Sequence, residues 1–251
     1  MGNNNIFKVK EILNEKKMVT TKDLSKLLNV SPMSITRYLN NLEEEGFIER
    51  THGGAILLEE NKRISEINFS KRIKINQKIK REIAKKAASY VSENNTIFID
   101  SGSTTILLLD FLVKNIVIYT NSIYTALDAI EKKFVNVNII GGRVKPVTLA
   151  SVNPLCKEAI EKLNFDYVFL GTNSFDSIGS LTTPDSNEGF VKELISTRSS
   201  EIIVLADSAK YNKTSFYNFT PKGYKLVTDY SGKISNQKFD VEKIEVKNEN
   251  I

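Results

Sequence analysis

Apolar positions recur along this chain with two periods. Near the start, Ile6, Val9, Ile12 and Leu13 fall three and four apart, the spacing of one helix face. Thr20 or Thr21 is placed to cap a second helix whose apolar face is Leu24, Leu27 and Leu28. Asn29 and Val30 make a turn. Ser31-Pro32 opens a third helix, with Ser as the cap and Pro at the first helical position. Ile35, Leu39 and Leu42 form its buried stripe, and Gly46 ends it. The pattern then shortens. Phe47–Arg50 and Ala55–Leu58 flank Thr51-His52-Gly53-Gly54, which is a hairpin signal. Three helices and a hairpin predict a winged helix-turn-helix over residues 1–58.

Residues 59–76 are charged and poor in Gly and Pro, and read as a linker. From residue 77 to 251 the pattern is that of a second domain. Ile79, Ile83, Ala84, Ala87, Ala88 and Val91 mark an amphipathic helix. Strand-like runs follow at Thr96–Ile99, Ile116–Thr120, Val135–Ile140, Tyr167–Leu170, Ile202–Ala206 and Leu226–Thr228. Helical segments alternate with them at Thr104–Val113, Ile123–Lys133, Pro154–Leu163 and Glu188–Ser199. Strands alternating with helices predict an α/β domain with a mostly parallel sheet covered on both faces.

Composition sharpens this only in places. Hydrophobic residues at 41% and charged residues at 26% are ordinary for a globular protein. One cysteine, Cys156, excludes a disulfide framework and favours a cytoplasmic setting, with the thiol read as packed. The polar start shows no signal peptide, and no apolar run is long enough for a bilayer. The formal net charge of +5 favours an anionic partner. Its location is uneven. Residues 1–58 carry eight Lys and Arg against seven Asp and Glu, whereas residues 59–93 carry ten against five. The basic excess lies behind the helix-turn-helix, either as a solvated face or as a contact for nucleic-acid backbone.

With the third helix buried along one stripe, Met33, Ser34, Thr36, Arg37, Asn40 and Asn41 face outward. In a major groove Arg37 can fork onto guanine, and Asn40 or Asn41 can pair with adenine. Ser31, Ser34 and Thr36 can reach phosphates or bases, and Glu43, Glu44 and Glu45 should face away from DNA. Tyr38 either touches a phosphate or packs. Arg50 and His52 are the wing candidates, with His52 either a wing-tip contact or a turn residue.

The run Val19–Leu58 resembles the N-terminal domain of the DeoR (deoxyribose-operon repressor) family of bacterial transcriptional regulators. Asp23-Leu24, Val30-Ser31, Ile35, Arg37, Leu39 and above all Arg50-Thr51-His52-Gly53-Gly54-Ala55 carry the resemblance. Where that family usually has two Arg followed by Asp, this chain has Thr36, Arg37 and Tyr38.

In the second domain, polar groups gather after successive strands: Asp100-Ser101-Gly102-Ser103-Thr104-Thr105, Thr120-Asn121-Ser122, Gly141-Gly142-Arg143 and Asp207-Ser208-Ala209-Lys210. Ligands of open α/β sheets bind at the carboxyl ends of strands. The first cluster opens a helix whose dipole and N–H groups would favour phosphate. No Walker or dinucleotide motif is present. From Phe69 to Lys210 the chain also resembles the family's C-terminal sensor domain, in "IFIDSGSTT", "YTNS", "IIGGRV", "DYVFLGTNSFD", "GSLTT" and "VLADSAKY". That resemblance implies a fold similar to ribose-5-phosphate isomerases and a phosphorylated sugar as effector. It implies Asp100, Ser101, Gly102, Ser103, Thr104, Asn121, Gly141, Gly142 and Lys210 as ligand residues, with Glu188 and Lys192 as further candidates. Ser103 and Thr104 would hold phosphate, Asp100 a sugar hydroxyl, and Lys210 the phosphate or another anionic oxygen.

The reading that results is a DNA-binding repressor of a sugar-metabolism operon controlled by a phosphosugar. Its partners are double-stranded operator DNA and the effector, in a homo-oligomer, a dimer or tetramer, without a membrane. No catalytic residue, metal or cofactor is expected. The alternative is a sugar-phosphate isomerase-like enzyme carrying a DNA-binding domain, in which Asp100 or Asp207 would serve as acid or base.

Overall fold

A computed structural model describes residues 2–44, 48–51, 53–57, 69–146, 148–152, 157–234 and 239–244. The chain forms two compact units, Met1–Lys62 with Lys74–Asn76, and Arg63–Ile73 with Gln77–Ile251. Among the described residues no helix is long and apolar enough to cross a membrane.

The first unit runs α1 (Gly2–Lys16), β1 (Met18–Thr20), α2 (Thr21–Leu28), α3 (Pro32–Glu44), β2 (Ile48–Thr51) and β3 (Gly54–Leu57). Thr20 caps α2 by accepting from the Asp23 N–H at 3.0 Å. Asn29 ends α2 in the left-handed region at φ 51°, and the turn it makes sets the entry to α3. Val9, Leu13, Leu24, Ile35, Leu39, Leu42 and Ile48 close a core around the three helices. Tyr38 packs into it at 6% exposure, which settles its role as a core residue. Leu27, expected on the buried face of α2, is 56% exposed. Leu24 alone reaches the centre of this short helix, with Leu28 half-buried one turn on.

The wing is more than a hairpin. β1 pairs antiparallel with β3, giving the order β1-β3-β2, with Val19 opposite Ala55 and Thr20 opposite Gly54. At Gly54 an added Cβ would lie 2.1 Å from the Val19 carbonyl oxygen. The second glycine of the Gly-Gly pair is thus required by close approach of β1. The first, Gly53 at φ +90°, supplies the turn. Gly46 and His52 lie outside the described residues.

The second unit begins with α4 (Phe69–Lys74) and α5 (Gln77–Ala88). β4 (Thr96–Ile99), a 3-10 helix (Thr105–Asp110), β5 (Val117–Thr120), α6 (Ile123–Glu131) and β6 (Asn136–Ile139) follow. A hairpin of β7 (Arg143–Lys145) and β8 (Ala150–Val152) precedes α7 (Lys157–Ile160) and β9 (Tyr167–Gly171). Then come β10 (Ser174–Phe175), β11 (Leu181–Thr183), α8 (Ser186–Ser196), β12 (Ile202–Leu205), β13 (Tyr217–Asn218), β14 (Lys225–Thr228) and β15 (Asp240–Lys243). Seven strands form one sheet in the order β15-β14-β12-β9-β4-β5-β6, and every neighbouring pair is parallel.

Successive residues of the central strands point to opposite faces, so each face has its own core. Ile97, Ile99, Phe169, Ile203, Leu205 and Val227 pack with α5 residues on one side. Phe98, Val168, Leu170, Val204 and Leu226 pack with Val191 and Ile195 of α8 on the other. The chain first builds outward from β4 through β5 to β6, then returns to place β9 on the opposite side of β4. The carboxyl ends of β4 and β9 therefore flank a crevice of the kind where open α/β sheets hold ligands.

The helix expected over Thr104–Val113 is instead the short 3-10 helix. The Thr105 hydroxyl donates to the Asp100 carbonyl oxygen at 2.7 Å and accepts from the Gly102 N–H at 2.9 Å. These bonds pull the turn inward, and Leu107 bonds back three residues to Thr104. An α-helix dipole is accordingly not what faces the crevice, and one of the expected phosphate-binding N–H groups is already engaged. Of the helix expected over Pro154–Leu163, α7 is the described part; residues 153–156, including Cys156, lie outside the described residues.

Candidate functional site

The reading helix α3 is entered through Ser31, whose Oγ accepts from the Ser34 N–H at 3.3 Å and lies 3.0 Å from the Ser34 hydroxyl. Met33, Arg37 and Asn40 follow at helical spacing along an exposed stripe. Thr36 is half-buried and returns its hydroxyl to the Pro32 carbonyl at 2.9 Å. The Arg37 guanidinium lies 5.7 Å from the Tyr38 ring centroid, an aromatic prop for an exposed cation. The Asn41 and His52 side chains lie outside what the structure describes.

Arg50 belongs to the wing but turns back to the reader. Its Nε donates to the Gly54 carbonyl at 3.1 Å. Its Nη1 donates to Asn40 Oδ1 at 2.5 Å and reaches the Thr36 carbonyl at 3.5 Å. Its backbone N–H donates to Glu43 Oε1 at 3.3 Å. One side chain thus ties β2, β3 and α3 together.

In the second unit a cleft of about 430 Å³ opens at the crevice between β4 and β9. Six of the nine expected ligand residues line it: Asp100, Ser101, Gly102, Ser103, Thr104 and Lys210. Glu188 and Lys192 line it as well. Asn121, Gly141 and Gly142 do not. They follow β5 and β6, strands on the far side of β4 from β9, and so fall away from the crevice. Asn121 is buried, donates to the Ser151 carbonyl at 3.3 Å, and leaves Oδ1 without a hydrogen bond. Both glycines are exposed at the start of the β7–β8 hairpin.

Asp100 and Lys192 form a buried ion pair at the floor, 2% and 6% exposed at their side chains. Asp100 Oδ2 also accepts from the Gly171 N–H at 3.0 Å, and Lys192 donates to the Gly171 carbonyl at 3.0 Å. These bonds clamp the end of β9 to the turn after β4. The carboxylate expected to meet a sugar hydroxyl is thus first a partner of Lys192. Glu188 accepts from the Thr148 hydroxyl at 2.6 Å, and Lys145 bridges Asp185 at 2.9 Å, fastening the β7–β8 hairpin to the start of α8.

Two cations that sequence patterning missed complete the electrostatics. Arg72 lines the cleft, although it falls in the charged stretch read as a linker. Lys80, only 2% exposed, donates to the Ser103 hydroxyl at 3.2 Å and to the Arg72 carbonyl at 2.5 Å. The signal for Lys80 was present: it starts the buried register Lys80, Ile83, Ala84, Ala87, Ala88 of α5, where a lysine has no packing reason to be. Burial pushes its pKa down to about 8; Asp207 opposes this, and Lys210 and Arg72 add to it. Lys210 is also lowered, by burial first, with Asp207 again opposing and Arg72 and Lys213 adding. Depressed lysines crowded together mark a place that gains from an incoming anion.

The comparisons with known proteins agree with this geometry. The DeoR-like helix-turn-helix domain matches residues 7–61, and the DeoR C terminal sensor domain matches residues 75–230. FruR of Bacillus subtilis (strain 168), described as an uncharacterized HTH-type transcriptional regulator, is 35% identical over 208 residues, 82% of each chain. The lactose phosphotransferase system repressor of Lactococcus lactis subsp. lactis is 30% identical over 210 residues, again 82% of each. A ribose 5 phosphate isomerase A from Neisseria gonorrhoeae shares 18% identity over 53% of each chain at a TM-score of 0.40, too slight a likeness to bear on function. With both halves of the chain matched in order, this protein belongs to the DeoR family of transcriptional regulators.

Proposed function

We propose that this regulator represses a sugar-metabolism operon from the cytoplasm and that a phosphorylated sugar in the cleft controls its hold on operator DNA. The single observation that carries the effector class is the cluster of Arg72, Lys80 and Lys210 around the Ser103-Thr104 turn. Hydroxyl donors and excess cations at a strand end suit a phosphoryl group, and the Asp100–Lys192 pair and Glu188 suit sugar hydroxyls beside it. Residues 1–58 act as the DNA-binding domain, 59–76 as the linker and 77–251 as the sensor. Paired half-sites call for a dimer or tetramer. The relative named a lactose phosphotransferase system repressor points to the same class of operon.

Control requires that the effector bind the DNA-competent and DNA-incompetent states with different affinity. The test is a thermal-shift panel of pentose and hexose phosphates against the free sugars, followed by mobility shift on promoter DNA. A phosphosugar that raises the melting temperature and changes DNA binding supports the proposal. Turnover of any phosphosugar, or stabilisation by free sugars alone, sinks it. Lys210→Ala is expected to lose the ligand response and keep DNA binding.

A further inference from the structure

We infer that Arg72 is a direct ligand for a doubly charged oxyanion, that Lys80 positions the Ser103 hydroxyl to donate to it, and that together they tie the segment 69–76 to the occupied cleft. This rests on reading the cleft as a phosphosugar site and goes further by naming the part of the chain that registers occupancy.

Three observations carry it. Arg72 lines the cleft alongside Ser103, Thr104 and Lys210, and a guanidinium fork matches the geometry of a phosphoryl group. Lys80 lies behind that wall. Its ammonium has no acceptor lone pair, so in its bond to Ser103 the serine oxygen must accept. The serine hydrogen is thereby freed to donate, which is the polarity an anion needs. Finally, the same ammonium holds the Arg72 carbonyl, so α4 and the Ser103 turn share one anchor. In sequence, α4 lies between the helix-turn-helix and the sensor sheet. An anion that draws Arg72 and Ser103 together therefore fixes the stretch of chain through which the DNA-reading unit is attached.

The experiment uses the full chain with inorganic phosphate as the probe and chloride at equal ionic strength as the blank. Affinity is read by titration calorimetry, and hydrogen exchange is read at the amides of residues 69–76. Phosphate is expected to slow that exchange in the parent. Arg72→Gln should weaken phosphate at least tenfold. Lys80→Met should do the same and abolish the slowing, but should add little in a Ser103→Ala background, because the lysine acts through that hydroxyl. The exposed-site variant Lys222→Gln controls for loss of charge alone. If the parent takes phosphate and Lys210→Met loses it, while Arg72→Gln binds normally and exchange at 69–76 ignores phosphate, the inference is overturned and the cleft reading stands. If the parent shows no phosphate response, the cleft reading falls and takes the inference with it. If Lys80→Met weakens phosphate as much with Ser103→Ala as without it, the positioning role is overturned.

Discussion

Arg50 Nη1 donates to Asn40 Oδ1 at 2.5 Å, so the wing fixes which end of the Asn40 amide faces outward. With its oxygen held by Arg50, Asn40 presents its nitrogen, a donor, to base edges. The bidentate pairing with adenine expected from sequence needs both ends. Asn40→Asp should keep the bond to Arg50, leave the melting temperature nearly unchanged, and weaken DNA binding by removing the donor. Arg50→Ala should cost about 1.5–3 kcal/mol in stability, since a charge-assisted bond and the link to the Gly54 carbonyl are both lost. Thermal unfolding and mobility shift on selected DNA separate the two effects.

Arg37 remains exposed and free of the core, held only against Tyr38. Arg37→Ala is expected to weaken DNA binding by ~1–3 kcal/mol and to relax base preference at one position of the site. Sequence selection on immobilised protein would show this. An unchanged preference would mean that another face of α3 reads DNA.

Asp100 and Lys192 hold β9 against the turn after β4 through a pair with almost no solvent contact. Removing one partner leaves a buried charge. Asp100→Asn should destabilise the fold by about 3–5 kcal/mol in denaturant unfolding. The double variant Asp100→Asn with Lys192→Met should cost less than the sum of the single changes, because the stranded ammonium is gone.

Lys80 gives the stability curve a predictable sign. Its folded pKa of about 8 lies below the ordinary 10.5, and its neighbours are Asp207, Lys210 and Arg72 together with the Ser103 hydroxyl. Below pH 8 both folded and unfolded chains carry the proton, and the cost of burying the charge is present in full. Between about 8 and 10.5 the folded chain sheds the proton first, so stability gains at most ~1.4 kcal/mol per pH unit from this group. Lys80→Met should be more stable than the parent at pH 7 and should lose that part of the slope. An anion restores the charged form, so its binding at pH 8.5 should draw in protons, measurable by calorimetry in buffers of different ionisation heat.

Gly54 separates packing from turn geometry in the wing. Gly54→Ala places a methyl 2.1 Å from the Val19 carbonyl oxygen, and should destabilise by roughly 2 kcal/mol or more in a thermal melt, whereas Gly53 has open space around it.

The helix periods, the Ser31-Pro32 entry and the alternation of strands with helices were legible because each is a local signal. β1 was not, because three residues become a strand only by pairing with β3. The 3-10 helix was hidden because the Thr105 hydroxyl, a side-chain competitor for backbone bonds, decides it. In the cleft, the residues after β4 were readable from one turn. Asn121, Gly141 and Gly142 looked equivalent to them because sequence shows strand ends but not strand order. Arg72 was masked by the run of charges around it, and Lys80 by the apolar stripe it interrupts.

The order of the seven strands also dictates how the protein is made. β4 acquires its neighbour β9 only after residues 167–171 have been synthesised, and β9 in turn awaits β12. Pairings across such sequence distances are slow to form. The DNA-reading unit, whose strands and helices lie within the first 57 residues, closes on near neighbours. On the ribosome the part that reads DNA is therefore complete before the part that restrains it, and a chain cut short before Tyr167 would carry the reader with no closed cleft to govern it.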